Sequence, residues 1–352
     1  MDFRRKDIIC SKKRMLVLCG IVLFIVVQLM RNGFLPLRTE RFYTEAGARW
    51  LPFETGIQSI LVADYIARTN ISNTVYQTRW LRLKEHCLKN HPNVNPTNLT
   101  DFDISKIKES KYILADDKHK VVYCKVPKVA CTTWMRLFLA MHGIKDALNM
   151  SQDDVHHRYD TYWFFKNMDL RKQSNLDIRR KLQTYKTFVI VRDPMVRILS
   201  AYRDKLMLGR EFYELYSKRI LHAYRESYNW ENVEIEFHEF VRFLLDQERF
   251  QIGYVDEHWD SFFNECLPCH VNYDVIGKYE SLEMDSEFIL KNLGWDKQVK
   301  WPPRSKHYSG NSSSSLKEQA FKGVSKILFS GIQKHYGEDI IAFGYHEDKC
   351  HS

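Results

Sequence analysis

Two clusters in this chain have residue types and spacing suited to gripping anionic oxygens. The first is Lys125-Val-Pro-Lys-Val-Ala-Cys-Thr-Thr-Trp134, in which Lys128 precedes the small residues Ala130, Cys131, Thr132 and Thr133. A helix entered from such a loop presents unpaired N–H groups and the positive end of its dipole, and Lys128 adds a full charge at the mouth. The second cluster is Arg192-Asp193-Pro194, with Ser200 and then Tyr202-Arg203 downstream. One lysine-bearing turn is ordinary, so the second basic junction is needed to give the first a meaning. The chain also has fourteen histidines, whose imidazoles could move a proton near neutral pH.

The elements that must carry these residues can be read from periodicity. Val121 to Val126 is β-branched and aromatic and reads as a strand. Trp134, Leu137, Phe138 and Met141 then fall on one helical face closed by Gly143. Thr187 to Val191 reads as a second strand, and Pro194 sits where the following helix begins. Both clusters are therefore strand-to-helix junctions, and ligands of open α/β sheets bind at the carboxyl edge of the strands. Tyr112 to Val126 reads as a hairpin around Asp116-Asp117-Lys118, and Tyr273 to Glu280 as a third strand. Helices are expected at Leu81 to Leu88, Leu176 to Leu182, Ile235 to Asp246, Met284 to Leu293 and Leu316 to Tyr336. An aromatic run, Tyr159, Tyr162, Trp163, Phe164 and Phe165, follows the first junction, and there are no internal repeats. The expected fold class is α/β: a P-loop-like parallel sheet flanked by helices, with an N-terminal transmembrane anchor.

A net charge of +9 points to anionic partners without choosing among nucleic acid, acidic lipid and acidic polysaccharide. The N-terminus narrows the choice. Met15 to Met30 contains no charge, Phe34, Leu35 and Leu37 extend it, and six basic residues between Arg4 and Arg14 precede it. The positive-inside rule then gives a cytosolic tail at 1–14, a signal-anchor at 15–37, a luminal stem at 38–110 and a catalytic domain at 111–352. A cleaved signal peptide fits less well, because no small-x-small site follows the apolar run. Sequons at Asn70, Asn98, Asn149 and Asn311 agree with a luminal domain and argue against nucleic acid as partner. Six cysteines fall beyond the anchor, in a compartment that permits disulfides, and Cys266-Leu-Pro-Cys269 is read as structural rather than as a metal or redox pair. No metal site is expected, and the oligomeric state is not legible.

The loop from Pro127 to Trp134 resembles the 5′-phosphosulfate loop of sulfotransferases that use 3′-phosphoadenosine 5′-phosphosulfate (PAPS). Arg192 with Ser200 resembles their 3′-phosphate-binding segment. VPKVACTxW with VRDPxxRxxSAYRDK is similar to the Golgi carbohydrate sulfotransferases that include the chondroitin 4-, dermatan 4- and HNK-1 enzymes. His258-Trp259, Cys266-x-x-Cys269 and Gly277-Lys-Tyr-Glu280 agree in order and spacing. The resemblance covers roughly residues 112 to 290. It implies a Golgi type II membrane enzyme, anchored by one N-terminal helix, that transfers a sulfuryl group from PAPS to a glycan hydroxyl. The 4-hydroxyl of N-acetylgalactosamine (GalNAc) in chondroitin or dermatan is the leading acceptor, with HNK-1-type or N-glycan GalNAc acceptors as alternatives.

Under that resemblance Pro127, Lys128, Val129, Ala130, Cys131, Thr132 and Thr133 would cradle the 5′-phosphosulfate, and Arg192 and Ser200 would grip the 3′-phosphate. Lys128 would stabilise the leaving phosphate, and His156 would take the proton from the sugar, with His157 and His258 as competitors. Arg197, Arg203 and Lys205 could meet glycan carboxylates or form a solvated basic face, and Lys278, Tyr279 and Glu280 could border the site. A phosphate-loop kinase is the rival enzyme class, but its G-x-x-x-x-G-K-[ST] pattern is missing. A non-catalytic luminal glycan-binding protein is the remaining reading.

Overall fold

The computed structural model describes residues 55–207, 213–226, 233–246, 255–303 and 313–345. Residues 61–352 form one compact unit; of the other unit, residues 1–60, only 55–60 are described, as the start of a helix. The apolar run expected to cross the membrane lies outside the described residues. Among the described residues, no helix is long and apolar enough to do so.

The centre is a four-stranded sheet in the order β1 (Ile113–Asp116), β2 (Val121–Cys124), β3 (Lys186–Val191) and β4 (Val275–Lys278). β2, β3 and β4 are parallel, while β1 pairs antiparallel with β2. The expected parallel sheet is therefore mixed. The physical reason is the short link from Asp116 to Val121, which suits a hairpin but not a parallel crossover. Strand residues from Val121 to Cys124 and from Thr187 to Val191 are all buried, which is the mark of strands covered on both faces.

The junction helix α4 (Cys131–Met141) follows α1 (Thr55–Thr69), α2 (Thr74–Asn90) and α3 (Asp101–Ile107) in the chain. Its Trp134 and Phe138 pack over the sheet, with the Trp134 and Tyr123 rings 4.6 Å and 4.7 Å from that of Phe188. Between β2 and β3 the chain also forms α5 (Gln152–His157), α6 (Tyr159–Met168) and α7 (Asn175–Thr184). After β3 come α8 (Pro194–Ala201), a π turn at Tyr202–Leu206, α9 (Tyr213–Tyr224), α10 (Phe237–Leu245) and α11 (Phe262–Cys266). β4 leads through a 3-10 turn, Tyr279–Ser281, into α12 (Leu282–Leu293). A β-carbon on Gly277 would meet Ile190 Cδ1 of β3 at 2.5 Å, so any larger residue there would push that side chain aside, while Ile289 and Asp285 of α12 lie at ordinary contact distance.

Two expectations change. Leu61 to Ser110 is not a stem outside the domain but part of the compact unit. The Tyr65 hydroxyl donates to the Asp274 carbonyl at 2.7 Å, Arg79 pairs with buried Asp285 at 2.6 Å, and Cys87 of α2 is bonded to Cys269. The C-terminal helix is broken into α13 (Ser313–Phe321) and α14 (Lys326–His335), because Ser325 caps a new start at Lys326, its hydroxyl accepting from the Leu328 N–H; α15 (Gly337–Ala342) follows. Cys266 and Cys269 do not pair with each other. Cys266 is bonded to Cys124 at the end of β2, which excludes a joint metal or redox role.

Candidate active site

Because β2, β3 and β4 are adjacent and parallel, whatever follows each strand arrives at one edge of the sheet. Lys125 to Ala130 follows β2, Arg192 follows β3 and Tyr279 follows β4. A cleft of about 1570 Å³ opens at that edge. Pro127, Lys128, Ala130, Cys131, Thr132, Thr133, Arg192 and Ser200 all line it, as do His156, His157 and His258. Val129 does not: its side chain is fully buried in the core.

The loop backbone is unusual for residues that carry a β-carbon. Lys128 and Ala130 have φ of 70° and 66°, a left-handed conformation that costs about 1–3 kcal/mol per residue. Alternation of this kind turns successive N–H groups into one concavity, the nest that binds anions. Ala130 supplies no side-chain cap to α4, so the helix's leading N–H groups have no side chain closing them off from the cleft. The Thr133 N–H already serves the helix, donating to the Ala130 carbonyl at 3.1 Å.

The two sequence clusters touch. Arg192 is 8% exposed, and its Nη1 donates to the Lys128 carbonyl at 3.0 Å. Its guanidinium lies 4.0 Å from the centre of the Tyr279 ring, a cation–π contact that holds the planar fork in place. Asp193 accepts from the N–H groups of Met195 and Val196 and so caps α8, with Pro194 in the first turn, as the sequence suggests. Glu280 accepts from the Asp193 N–H at 2.9 Å and from the Tyr345 hydroxyl at 3.0 Å, tying β4's end to β3's.

Lys128 Nζ donates to Asp204 Oδ2 at 2.9 Å. Burial lowers the lysine's pKa, and Asp204 opposes that shift. Asp204 sits on the π turn, whose extra residue per turn re-aims the end of α8 toward the loop. Asp204 is a cleft residue that sequence reading missed, since periodicity extends α8 as a regular helix. Arg136 is another: it lines the cleft on α4, and its buried Nε makes no hydrogen bond among the described residues.

His156 lies on α5, where its Nε2 shares a hydrogen bond of 3.0 Å with the Thr132 hydroxyl. Its pKa is lowered to about 4, first by burial and then by the positive charge of Lys125 and by the neighbouring His157, Lys205 and His258. It is thus a neutral base across the physiological range. His157 is exposed, with Asp153 4.0 Å away, and His258 Nδ1 lies 2.7 Å from Asp256 Oδ1.

Arg197 is neither a glycan contact nor a solvated charge. It is 1% exposed; its Nε donates to the Pro127 carbonyl at 3.1 Å, and its Nη2 pairs with buried Glu265 at 3.0 Å. Arg203 is exposed and Lys205 buried at the cleft wall. Lys278 turns away, donating to the Gly344 carbonyl at 3.3 Å, and burial lowers its pKa to about 8. Two groups among the described residues gather three metal-ligating side chains, His86–His91–Glu338 and Asp116–His119–His142, and neither lines the cleft.

The profile of the Sulfotransferase family matches residues 111–346. The chain is 31% identical to carbohydrate sulfotransferase 12 of Mus musculus over 271 residues, covering 71% of this chain and 64% of that protein. It is 32% identical to carbohydrate sulfotransferase 9 of Homo sapiens over 66% of this chain and 53% of that one, and 33% identical to carbohydrate sulfotransferase 14 of Danio rerio over 67% and 62%. The match thus spans between about half and two thirds of these relatives' lengths. No solved structure gives a significant match. With a loop-and-arginine cleft at the carboxyl edge of its sheet, this chain belongs to the sulfotransferase family.

Proposed function

We propose that this chain is a carbohydrate O-sulfotransferase that takes its sulfuryl group from PAPS. The observation that carries the reading is the hydrogen bond from Arg192 to the Lys128 carbonyl, which sets two anion-binding junctions side by side in one cleft. A single-phosphate ligand would need one of them; a nucleotide with 5′ and 3′ anionic groups uses both. The residues fit that donor on their own chemistry. The left-handed loop offers N–H groups and the Thr132 hydroxyl, Arg192 offers a fixed fork with Ser200 nearby, and Arg136 brings an unused buried donor.

PAPS would supply an activated sulfuryl group. The protein then has to align acceptor oxygen, sulfur and leaving oxygen and to place positive charge where the leaving phosphate gains negative charge. Lys128 takes the second task, held by Asp204 until the cleft fills. His156, neutral and hydrogen-bonded to Thr132, takes the proton from the sugar hydroxyl. The Thr132–His156 contact keeps base and sulfuryl loop in a constant relation.

The acceptor in this reading is the 4-hydroxyl of GalNAc in a chondroitin- or dermatan-type chain, by likeness of the VPKVACTxW and VRDPxxRxxSAYRDK segments. The compartment is the Golgi lumen, with residues 15–37 as a type II anchor. Two disulfides, Cys87–Cys269 and Cys124–Cys266, and exposed asparagines at sequons 70, 98 and 149 support an oxidising secretory location.

The test is transfer of labelled sulfate from PAPS to chondroitin by the purified protein without added metal, followed by disaccharide analysis of the product. Hydrolysis of ATP with PAPS ignored overturns the reading. Label at another position, or only on N-glycan or glucuronic acid termini, replaces the acceptor while keeping the reaction.

A further inference from the structure

α6 carries large apolar side chains on its outward face as well as on its buried one. Thr161, Phe165 and Met168 are buried, as one face of a helix on a protein surface should be. The outward face carries Tyr159, Tyr162 and Trp163, exposed at 77%, 48% and 43%. With Lys166 they fall at i, i+3, i+4 and i+7, one continuous stripe. The Trp163 ring centre is 6.2 Å from that of Tyr159 and 5.6 Å from that of Tyr162, both pairs edge-to-face, so the three rings brace one another. Lys166 Nζ lies 6.0 Å from the Tyr162 ring centre, and Lys172 Nζ lies 5.8 Å from that of Trp163. The nearby Asp160 is already satisfied by both arms of Arg158, at 2.7 and 2.9 Å.

This stripe adjoins the cleft. Arg158 is at once the last cap of α5 and the first of α6, and α5 places Gln152, Asp153, His156 and His157 in the cleft wall. Exposed aromatic stripes mark binding surfaces, and the occupant here is set by chemistry. Sugar rings present flat C–H faces that stack on aromatic rings, and interleaved lysines complement the carboxylates or sulfates of an acidic glycan.

We propose that Tyr159, Tyr162 and Trp163, with Lys166 and Lys172, form an outer subsite that holds several sugars of an anionic glycan chain while one residue of that chain occupies the cleft at His156. The proposal rests on the glycan sulfotransferase reading and names where the polymer runs.

Two measurements on the full-length protein test it. In the first, retention on immobilised chondroitin is compared for wild type, Trp163→Ala, Tyr159→Ala/Tyr162→Ala, Lys166→Gln/Lys172→Gln and, as a surface control, Leu176→Ala, with melting temperature checking the fold. The aromatic and lysine variants are expected to elute at lower salt, and Leu176→Ala with wild type. In the second, kcat/KM is measured for polymeric chondroitin and for a chondroitin disaccharide. The polymer-to-disaccharide ratio should fall about tenfold in Trp163→Ala, with the KM for PAPS unchanged and Trp163→Phe recovering most of the loss. Unchanged retention and an unchanged ratio overturn the proposal. So does a loss confined to binding of anionic lipid vesicles or to a dimer-to-monomer change in mass. If wild type transfers nothing from PAPS, the functional reading fails, and the retention series still decides the subsite.

Discussion

The Thr132 hydroxyl lies 3.0 Å from Nε2 of His156, so a helix 24 residues downstream places its imidazole directly against the loop that follows β2. If His156 is the base, the acid limb of kcat/KM reports a folded-state pKa of about 4, against about 6.5 for an ordinary histidine. Activity should hold as pH falls through 6 and decline only as it approaches 4. The same group contributes stability that is present above the unfolded value and lost as pH falls through the folded one. His156→Ala should lower kcat by about 10²–10⁴-fold with the melting temperature retained. Near-normal turnover would move the role to His157 or His258.

Lys128 is held by Asp204 at 2.9 Å, with burial working against its charge. Lys128→Ala should cost about 10²–10³-fold in kcat, the scale for losing one transition-state charge partner. Asp204→Asn removes the carboxylate that sustains the lysine's proton. Its alkaline limb should therefore begin at a lower pH than in wild type, while the neutral-pH rate falls less than in Lys128→Ala. A pH–rate series on the two variants decides this.

Arg192 makes its contacts with geometry that lysine cannot copy, one Nη on the Lys128 carbonyl and the plane of the guanidinium over Tyr279. Arg192→Lys and Arg192→Ala should each raise the dissociation constant of 3′,5′-bisphosphoadenosine by about 10- to 100-fold. Calorimetry measures it. Unaltered affinity would remove Arg192 from the 3′-phosphate site.

Arg197 should behave as a structural residue. Arg197→Ala leaves Glu265 buried without its partner and orphans the Pro127 and Glu257 carbonyls, at a cost of about 3–5 kcal/mol. Exposed Arg203→Ala should melt with wild type. Thermal denaturation of the pair separates the two, and equal melting would refute the assignment.

The disulfides Cys124–Cys266 and Cys87–Cys269 span 142 and 182 residues of chain. Replacing either pair with serine should lower stability by about 2–5 kcal/mol. Reducing agent should lower the melting temperature of wild type and leave that of the double-pair variant unmoved.

By itself the sequence determined the local parts of this protein. Val121 to Cys124 and Thr187 to Val191 are strands because β-branched and aromatic runs fit a covered pleat, and α4 and α8 start where a small-residue loop and Asp193-Pro194 allow them. The proposal of Lys128, Arg192 and Ser200 as anion-binding residues came from those junctions, and all three line the cleft. The order of strands lay beyond that reach, because adjacency of β2, β3 and β4 depends on long-range pairing that leaves no local period. So did the burial of Arg197 and the placing of Asp204 by a π turn, since one charged residue on a helix looks like another until something packs on it. The tertiary structure decided that two turns, 64 residues apart between Lys128 and Arg192, share a hydrogen bond and line one cleft. It decided likewise that His156, rather than simply some histidine, stands within reach of the loop, because only chain packing converts sequence distance into spatial distance.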